Sequence, residues 1–153
     1  MLYMLIAVLI LIDQAVKYFV VASMYLGQSI SVLPSVRLTY LTNTGMAFSL
    51  FQNANTFFIV LTILALGGIS FWLYTGRTSL PRMLRTALAL VFAGACGNLL
   101  DRMFRGAVVD FIDIGVRNWR WPAFNVADAC ITAGGVLLFI MLIKDTRDVS
   151  HSR

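Results

Sequence analysis

Seven acidic side chains occur in this chain of 153 residues, and all are aspartates: Asp13, Asp101, Asp110, Asp113, Asp128, Asp145 and Asp148. Glutamate is absent, and the one histidine, His151, lies in a polar tail. This inventory excludes several kinds of chemistry. A zinc hydrolase of the H-E-x-x-H type lacks its ligands and its base. A serine nucleophile needs a base beside it, and Lys17 is the sole remote candidate. Cys96 and Cys130 sit in apolar runs, where cysteine behaves as a small buried hydrophobe. The G-x-G-D mark of presenilin-type proteases is missing. What remains is aspartate, amide and cation chemistry: acid–base work or an ion relay through a membrane.

The elements that hold these groups are apolar. Hydrophobic residues make up 59% of the chain and charged residues 12%, with a mean hydropathy of +0.84. Soluble domains sit nearer ~45–50% apolar, so the solvent for most of this chain is lipid. A helix needs about 20 apolar residues to cross the hydrocarbon. Four stretches meet that need, at about 1–26, 56–74, 83–104 and 126–143. The reading is an all-α membrane protein of four transmembrane helices forming one membrane-embedded domain over 1–153. Asp13, Gln14 and Lys17 interrupt the first span, which argues against a cleaved signal peptide. Arg77, Arg82, Arg85, Lys144, Arg147 and Arg153 cluster near span ends on one side, which should be cytoplasmic. Both termini are then cytoplasmic, and about 27–55 and 105–125 face outward. The net charge of +5 is read as membrane orientation, not nucleic-acid binding. β-branched residues recur from Ser29 to Thr42 around a turn at Pro34–Ser35, which predicts an outer ribbon. The tryptophans of Trp119–Phe124 suit the headgroup level.

On this topology the unusual polar groups meet at one depth. Asp13 lies about 20 Å along the first helix at ~1.5 Å per residue, with Lys17 above it. Asn43, Asn98, Asp101, Arg102, Asp110, Asn125 and Asp128 belong to the outer ends of the other elements. An intramembrane charge costs ~2.5–3.5 kcal/mol even on lenient scales, so such a group should be paired or face a wet cavity. Asp13 and Lys17, spaced i, i+4, are expected as an ion pair. Asp101 and Arg102 point apart, leaving Arg102 for a distant carboxylate or a substrate carbonyl. Asn98 and Asn125 are either satisfied amides between helices or site groups, and Asn125 could also cap the fourth span. Asp113 is expected as a solvated loop carboxylate. Asp110, in the apolar run VVDFI, has no evident local partner. Asp128 is suited to the helix N-terminus as a cap, a role its position supports as well as a site role. The glycine pairs Gly67–Gly68 and Gly134–Gly135 are expected to permit close helix packing.

Five segments resemble the lipoprotein signal peptidases, also called signal peptidase II: DQAVK at Asp13–Lys17, NTGMAF at Asn43–Phe48, GNLLDR at Gly97–Arg102, VVDFI at Val108–Ile112 and PAFNVADACI at Pro122–Ile131. They follow the family's order and span most of the chain. The resemblance implies an aspartic endopeptidase of the bacterial inner membrane. It would work without metal or organic cofactor and remove the signal peptide of diacylglyceryl-modified prolipoproteins just before the lipidated cysteine. By the same resemblance Asp110 and Asp128 match the catalytic pair. Asp13, Lys17, Asn43, Gly45, Asn98, Asp101, Arg102, Asn125 and Ala127 match positions that line and order the site. An extracytoplasmic β-cradle is implied at the ribbon. The expected partners are the prolipoprotein substrate and membrane lipids, with the protein acting as a monomer. Two other classes fit the composition: a small ion- or proton-coupled transporter, and a non-catalytic assembly factor using the outer ribbon.

Overall fold

The structure is a computed structural model that describes residues 2–45, 54–76, 80–117 and 119–151, with side chains described as far as Lys144. Eight elements follow in order: α1 (Leu2–Ser23), β1 (Ser29–Leu33), β2 (Val36–Asn43), α2 (Asn55–Thr75), α3 (Arg82–Phe104), β3 (Val108–Val116), β4 (Trp119–Arg120) and α4 (Val126–His151). All four helices are long and apolar enough to cross a membrane, α4 over Val126–Lys144. They match the four expected spans to within a few residues.

Helix α3 is central and packs on α1, α2 and α4. Its buried face is built from small residues, including Ala87, Ala89, Ala93, Gly94 and Gly97. Lipid supplies no hydrophobic push between helices, so close approach of backbones over small residues takes its place. A Cβ on Gly94 would strike the carbonyl oxygen of Ala127 in α4, and one on Gly134 would lie 2.7 Å from the carbonyl oxygen of Ala87. At Gly67, Gly68 and Gly135, by contrast, a Cβ would meet nothing within 4 Å. The expectation of close packing therefore holds for Gly134 alone of those four. Helix α2 buries only Phe58 and Leu73 and exposes Phe57, Leu64, Phe71 and Tyr74. Such a surface would aggregate in water but suits acyl chains.

The expected ribbon is the hairpin β1–β2, with Leu33 paired to Val36 across the turn. The segment 105–125, read from sequence only as an outer loop, contributes strands. β3 pairs antiparallel with β2, Asn43 opposite Val108 and Leu41 opposite Asp110, and the sheet order is β1-β2-β3-β4. Side chains alternate across a strand. Val109 and Phe111 accordingly pack with Val20 of α1 and Met24 just past its end in a buried cluster, while Asp110 between them turns to the opposite face. Asp113 departs from expectation. It is half-buried, held by Arg120 Nε at 2.6 Å and Thr39 Oγ1 at 3.0 Å, and so ties β2, β3 and β4 together. Its partners come from paired strands that a loop reading does not supply.

Candidate active site

Three charged side chains at the core of the bundle are almost wholly removed from solvent: Asp13, Lys17 and Asp101. Lys17 Nζ lies 2.8 Å from Asp13 Oδ2 and 2.8 Å from Asp101 Oδ2. The expected i, i+4 pair is thus present, with Asp101 added as a second counter-ion from α3. Buried charges are stable only when paired and fully hydrogen-bonded, and the remaining lone pairs are used. Asp13 Oδ1 accepts the backbone N–H of Ala127 at 2.9 Å, and Asp101 Oδ2 accepts that of Val109 at 3.1 Å. Arg105 bonds Asp101 from one helical turn away. The cluster ties α1 and α3 to the starts of α4 and β3, the two elements that carry Asp128 and Asp110.

Two buried asparagines extend this cluster towards the acids. Asn98 Oδ1 accepts from Lys17 Nζ at 3.0 Å and from Asn125 Nδ2 at 3.2 Å. Its amide nitrogen is therefore left to donate, to Asp128 Oδ1 at 2.7 Å. Asn125 Nδ2 also donates to Asp110 Oδ1 at 2.8 Å and to the carbonyl of Val109 at 3.2 Å. Asn125 caps α4: its Oδ1 accepts the N–H of Asp128 at 2.9 Å, and Asp128 Oδ2 accepts the N–H of Asn125 at 3.2 Å. This is a reciprocal capping box, so the capping role considered for both residues is realised. Asp128 Oδ1 stays free of the cap and meets Asn98. Asn125 touches both Asp110 and Asp128.

Asp110 and Asp128 face one cavity of about 820 Å³. Asn43, Gly45, Asn98 and Arg102 line it with them, and Phe58, Leu61 and Ile131 form an apolar wall. Asn43 Nδ2 donates to Asp110 Oδ2 at 3.3 Å, and its Oδ1 accepts the N–H of Gly45 at 2.9 Å. The remainder of NTGMAF, residues 46–48, lies outside the described residues. Arg102 Nη2 donates to the carbonyl of Gly45 at 3.2 Å, and the guanidinium stands 5.3 Å from the centre of the Phe58 ring. Among the described residues its Nε is buried without a hydrogen-bond partner and it makes no ion pair. Burial first, and the charge of Asp128 second, push the Asp110 carboxyl up from 3.8 to about 7; the donors Asn43 and Asn125 oppose this without cancelling it.

Every site residue expected from the sequence joins this assembly. Asp110, Asp128, Asn43, Gly45, Asn98 and Arg102 line the cavity. Asn125 bridges the acids, and Asp13, Lys17, Asp101 and Ala127 form the layer beneath. Ala127 is small because its Cβ lies against Gly97. Three further participants are not among the expected residues. Gln14 Nε2 donates to Asp13 at 3.1 Å, to the Gly97 carbonyl at 3.0 Å and to Asp101 at 3.3 Å; an amide within an apolar span is its signal. Arg105, one turn past Asp101, is legible by i, i+4 spacing. Phe58 carries no sequence signal. Among the described residues no cluster of ligating side chains suits a metal ion.

A family model described as "Signal peptidase (SPase) II" matches residues 5–144. The chain is 41% identical over 143 residues to a protein named "Lipoprotein signal peptidase" from Alteromonas mediterranea, covering 91% of this chain and 78% of that one. It is 40% identical over 155 residues to the protein of the same name from Halalkalibacterium halodurans, covering 100% and 99%. Among solved structures, one described as a bacterial membrane enzyme at 2.3 Å superposes with a TM-score of 0.88 at 33% identity, covering 96% of this chain and 90% of that one.

Proposed function

The chain belongs to the signal peptidase II family, and from that membership we propose that it removes the signal peptide of diacylglyceryl-modified prolipoproteins, cutting just before the lipidated cysteine, with Asp110 and Asp128 as the catalytic pair. The observation that carries the assignment is the position of Asn125, which hydrogen-bonds both carboxylates at one cavity wall. Two acids held that close do not both ionise cheaply, so the pair retains one proton.

Asp110 keeps that proton. It is 4% exposed, and its carboxyl is raised to about 7. Asp128 occupies the first turn of α4, where the helix N-terminus favours a carboxylate, and it accepts the short bond from Asn98. Asp128 therefore takes a proton from water, and the resulting hydroxide attacks the scissile carbonyl. Asp110 hydrogen-bonds the carbonyl oxygen. The tetrahedral intermediate collapses as the C–N bond breaks, with a carboxyl proton passing to the departing amine. No metal or organic cofactor enters this scheme.

An extended peptide entering lipid carries backbone groups that cost several kcal/mol each if left unpaired. Arg102, with its unpartnered Nε, and Asn43 offer it hydrogen bonds. The apolar wall of Phe58, Leu61 and Ile131 suits lipid-like or signal-peptide groups. The multi-pass inner-membrane chain is oriented with both termini cytoplasmic and this cavity near the outer face. Among the described residues the α1–α3 contact away from the site is the apolar cluster of Ile6, Ala89 and Ala93, which gives a transporter reading no polar relay along that contact.

The test is cleavage of a lipidated precursor, and of the same precursor before lipidation, by wild type, Asp110→Asn and Asp128→Asn in detergent. Cleavage of the lipidated form by wild type alone supports the proposal. Substantial residual activity in either variant removes that residue from the pair, and equal cleavage of both precursors removes the lipid requirement.

A further inference from the structure

A second cavity, of about 760 Å³, opens at the opposite end of the bundle between the starts of α1 and α3. Leu2, Met4, Leu5 and Val8 form its apolar side, and Arg82 and Arg85 its charged side. Arg85 and Asp101 lie on the same helix 16 residues apart, or about 24 Å at ~1.5 Å per residue. The cavity is therefore remote from the proposed catalytic pair and plays no part in the scheme above.

Among the described residues neither arginine makes an ion pair. Arg85 Nε is buried with no hydrogen-bond partner. The first turn of α3 adds positive potential: Pro81 precedes it, no side chain caps it, and it contains no acid. Its first amides have no intrahelical acceptors. Because α1 and α3 both cross the membrane, this end of each lies at one bilayer surface, where a cleft of mixed character meets lipid headgroups and acyl chains together.

We propose that this cleft is a binding site for an anionic phospholipid, its phosphate held between Arg82 and Arg85 and an acyl chain laid along Leu5 and Val8. Charge complementarity selects the occupant. Guanidinium groups bind phosphate oxygens bidentately, and basic pockets between transmembrane helices at the bilayer surface suit anionic headgroups. A zwitterionic lipid presents the same phosphate but brings its own cation, which competes with the arginines. A free anion lacks the chain that fills the apolar side.

The protein, purified and delipidated in a neutral detergent, is titrated with phosphatidylglycerol, phosphatidylcholine or inorganic phosphate and followed by native mass spectrometry and thermal unfolding. Wild type is expected to retain phosphatidylglycerol at least tenfold more tightly than phosphatidylcholine and to gain thermal stability from it alone. Arg82→Gln with Arg85→Gln should bring phosphatidylglycerol down to the phosphatidylcholine level without changing precursor cleavage in lipid-free detergent. Val8→Trp keeps both arginines but obstructs the apolar side, and should weaken phosphatidylglycerol retention by itself, which serves if the double variant does not fold. Equal retention of the two lipids overturns the proposal. So does a preference that survives either substitution, the same stabilisation by inorganic phosphate alone, or a shift to a dimer in place of a lipid adduct.

Discussion

Lys17 Nζ occupies the carbonyl oxygen of Asn98 at 3.0 Å, and this fixes which end of the Asn98 amide reaches Asp128, 2.7 Å away on the other side. A buried ammonium that touches neither proposed catalytic acid thereby orients a donor onto one of them. A hydrogen bond to a charged group contributes ~1.5–3 kcal/mol. Asn98→Ala should accordingly lower the cleavage rate about 10- to 100-fold through kcat more than KM. An unchanged kcat with reduced thermal stability would make Asn98 purely architectural.

Replacement of the acids themselves is more severe. General acid–base work is worth ~10²–10⁴-fold, so Asp110→Asn and Asp128→Asn should each lose at least that much activity. Both variants should remain folded and membrane-inserted. Asn at 128 can still accept the N–H of Asn125, and Asn at 110 removes an ionisable group from a buried site. Single-turnover cleavage and thermal unfolding measured together distinguish lost chemistry from lost fold.

The pH dependence follows from the direction of the Asp110 shift. Its carboxyl is raised from 3.8 to about 7 in the folded protein. Between about 4 and about 7 the folded state holds a proton that the unfolded chain has released, so this group makes stability fall as pH rises through that window and level off above it. Asp110→Asn should be flatter over the same range, with its unfolding temperature gaining on wild type from pH 4 to 7. Cleavage by wild type should decline as pH rises through about 7, where Asp110 loses its proton. A rate that climbs steadily past pH 8 would contradict the assignment of the proton to Asp110.

Lys17→Met leaves Asp13 and Asp101 facing each other without their shared cation. Removing one partner of a buried ion pair costs ~3–5 kcal/mol, so the variant should unfold many degrees lower and express poorly. Adding Asp13→Asn and Asp101→Asn to it should recover part of that stability. A triple variant less stable than Lys17→Met alone would show that the carboxylates hold the bundle without the lysine.

Glycine substitutions separate close packing from open surface. Gly94→Ala drives a methyl into the Ala127 carbonyl, and overpacking of this kind costs ~1–3 kcal/mol. It should also weaken cleavage, because Ala127 neighbours Asp128. Gly68→Ala meets nothing within 4 Å and should be neutral or slightly stabilising, as alanine is the better helix former. Thermal unfolding of the two variants side by side checks the contrast.

The four spans are legible in the sequence because lipid demands long apolar runs, and the polar groups within those runs because charges and amides there are too costly to be incidental; Gly45, Ala127 and the pairing of Asp110 with Asp128 come only from the resemblance to the signal peptidases. The hairpin β1–β2 can be read from β-branched residues around Pro34–Ser35. Strand β3 cannot. VVDFI is apolar on both sides of Asp110, and its alternation becomes visible only when Val109 and Phe111 are seen against Val20 and Met24. Asp113 departs from expectation for the same reason, since its partners Thr39 and Arg120 become neighbours through strand pairing. Local spacing supplies the Asp13–Lys17 pair. The third member, Asp101, comes from a helix more than eighty residues away, and periodicity within one helix carries no information about that distance.

The internal pairing of these charges bears on how the chain enters the bilayer. Lys17 offsets Asp13 within α1, and Arg105 offsets Asp101 at the end of α3, each one helical turn away. Helix α1 can thus pass into hydrocarbon with its two charges paired, escaping much of the penalty that a solitary ion meets there, whereas α3 still carries Arg102, which has no ion-pair partner among the described residues. Once both are inserted, the same lysine reaches across to the second helix. A salt bridge that begins as a travelling companion for one span ends as the clasp between two.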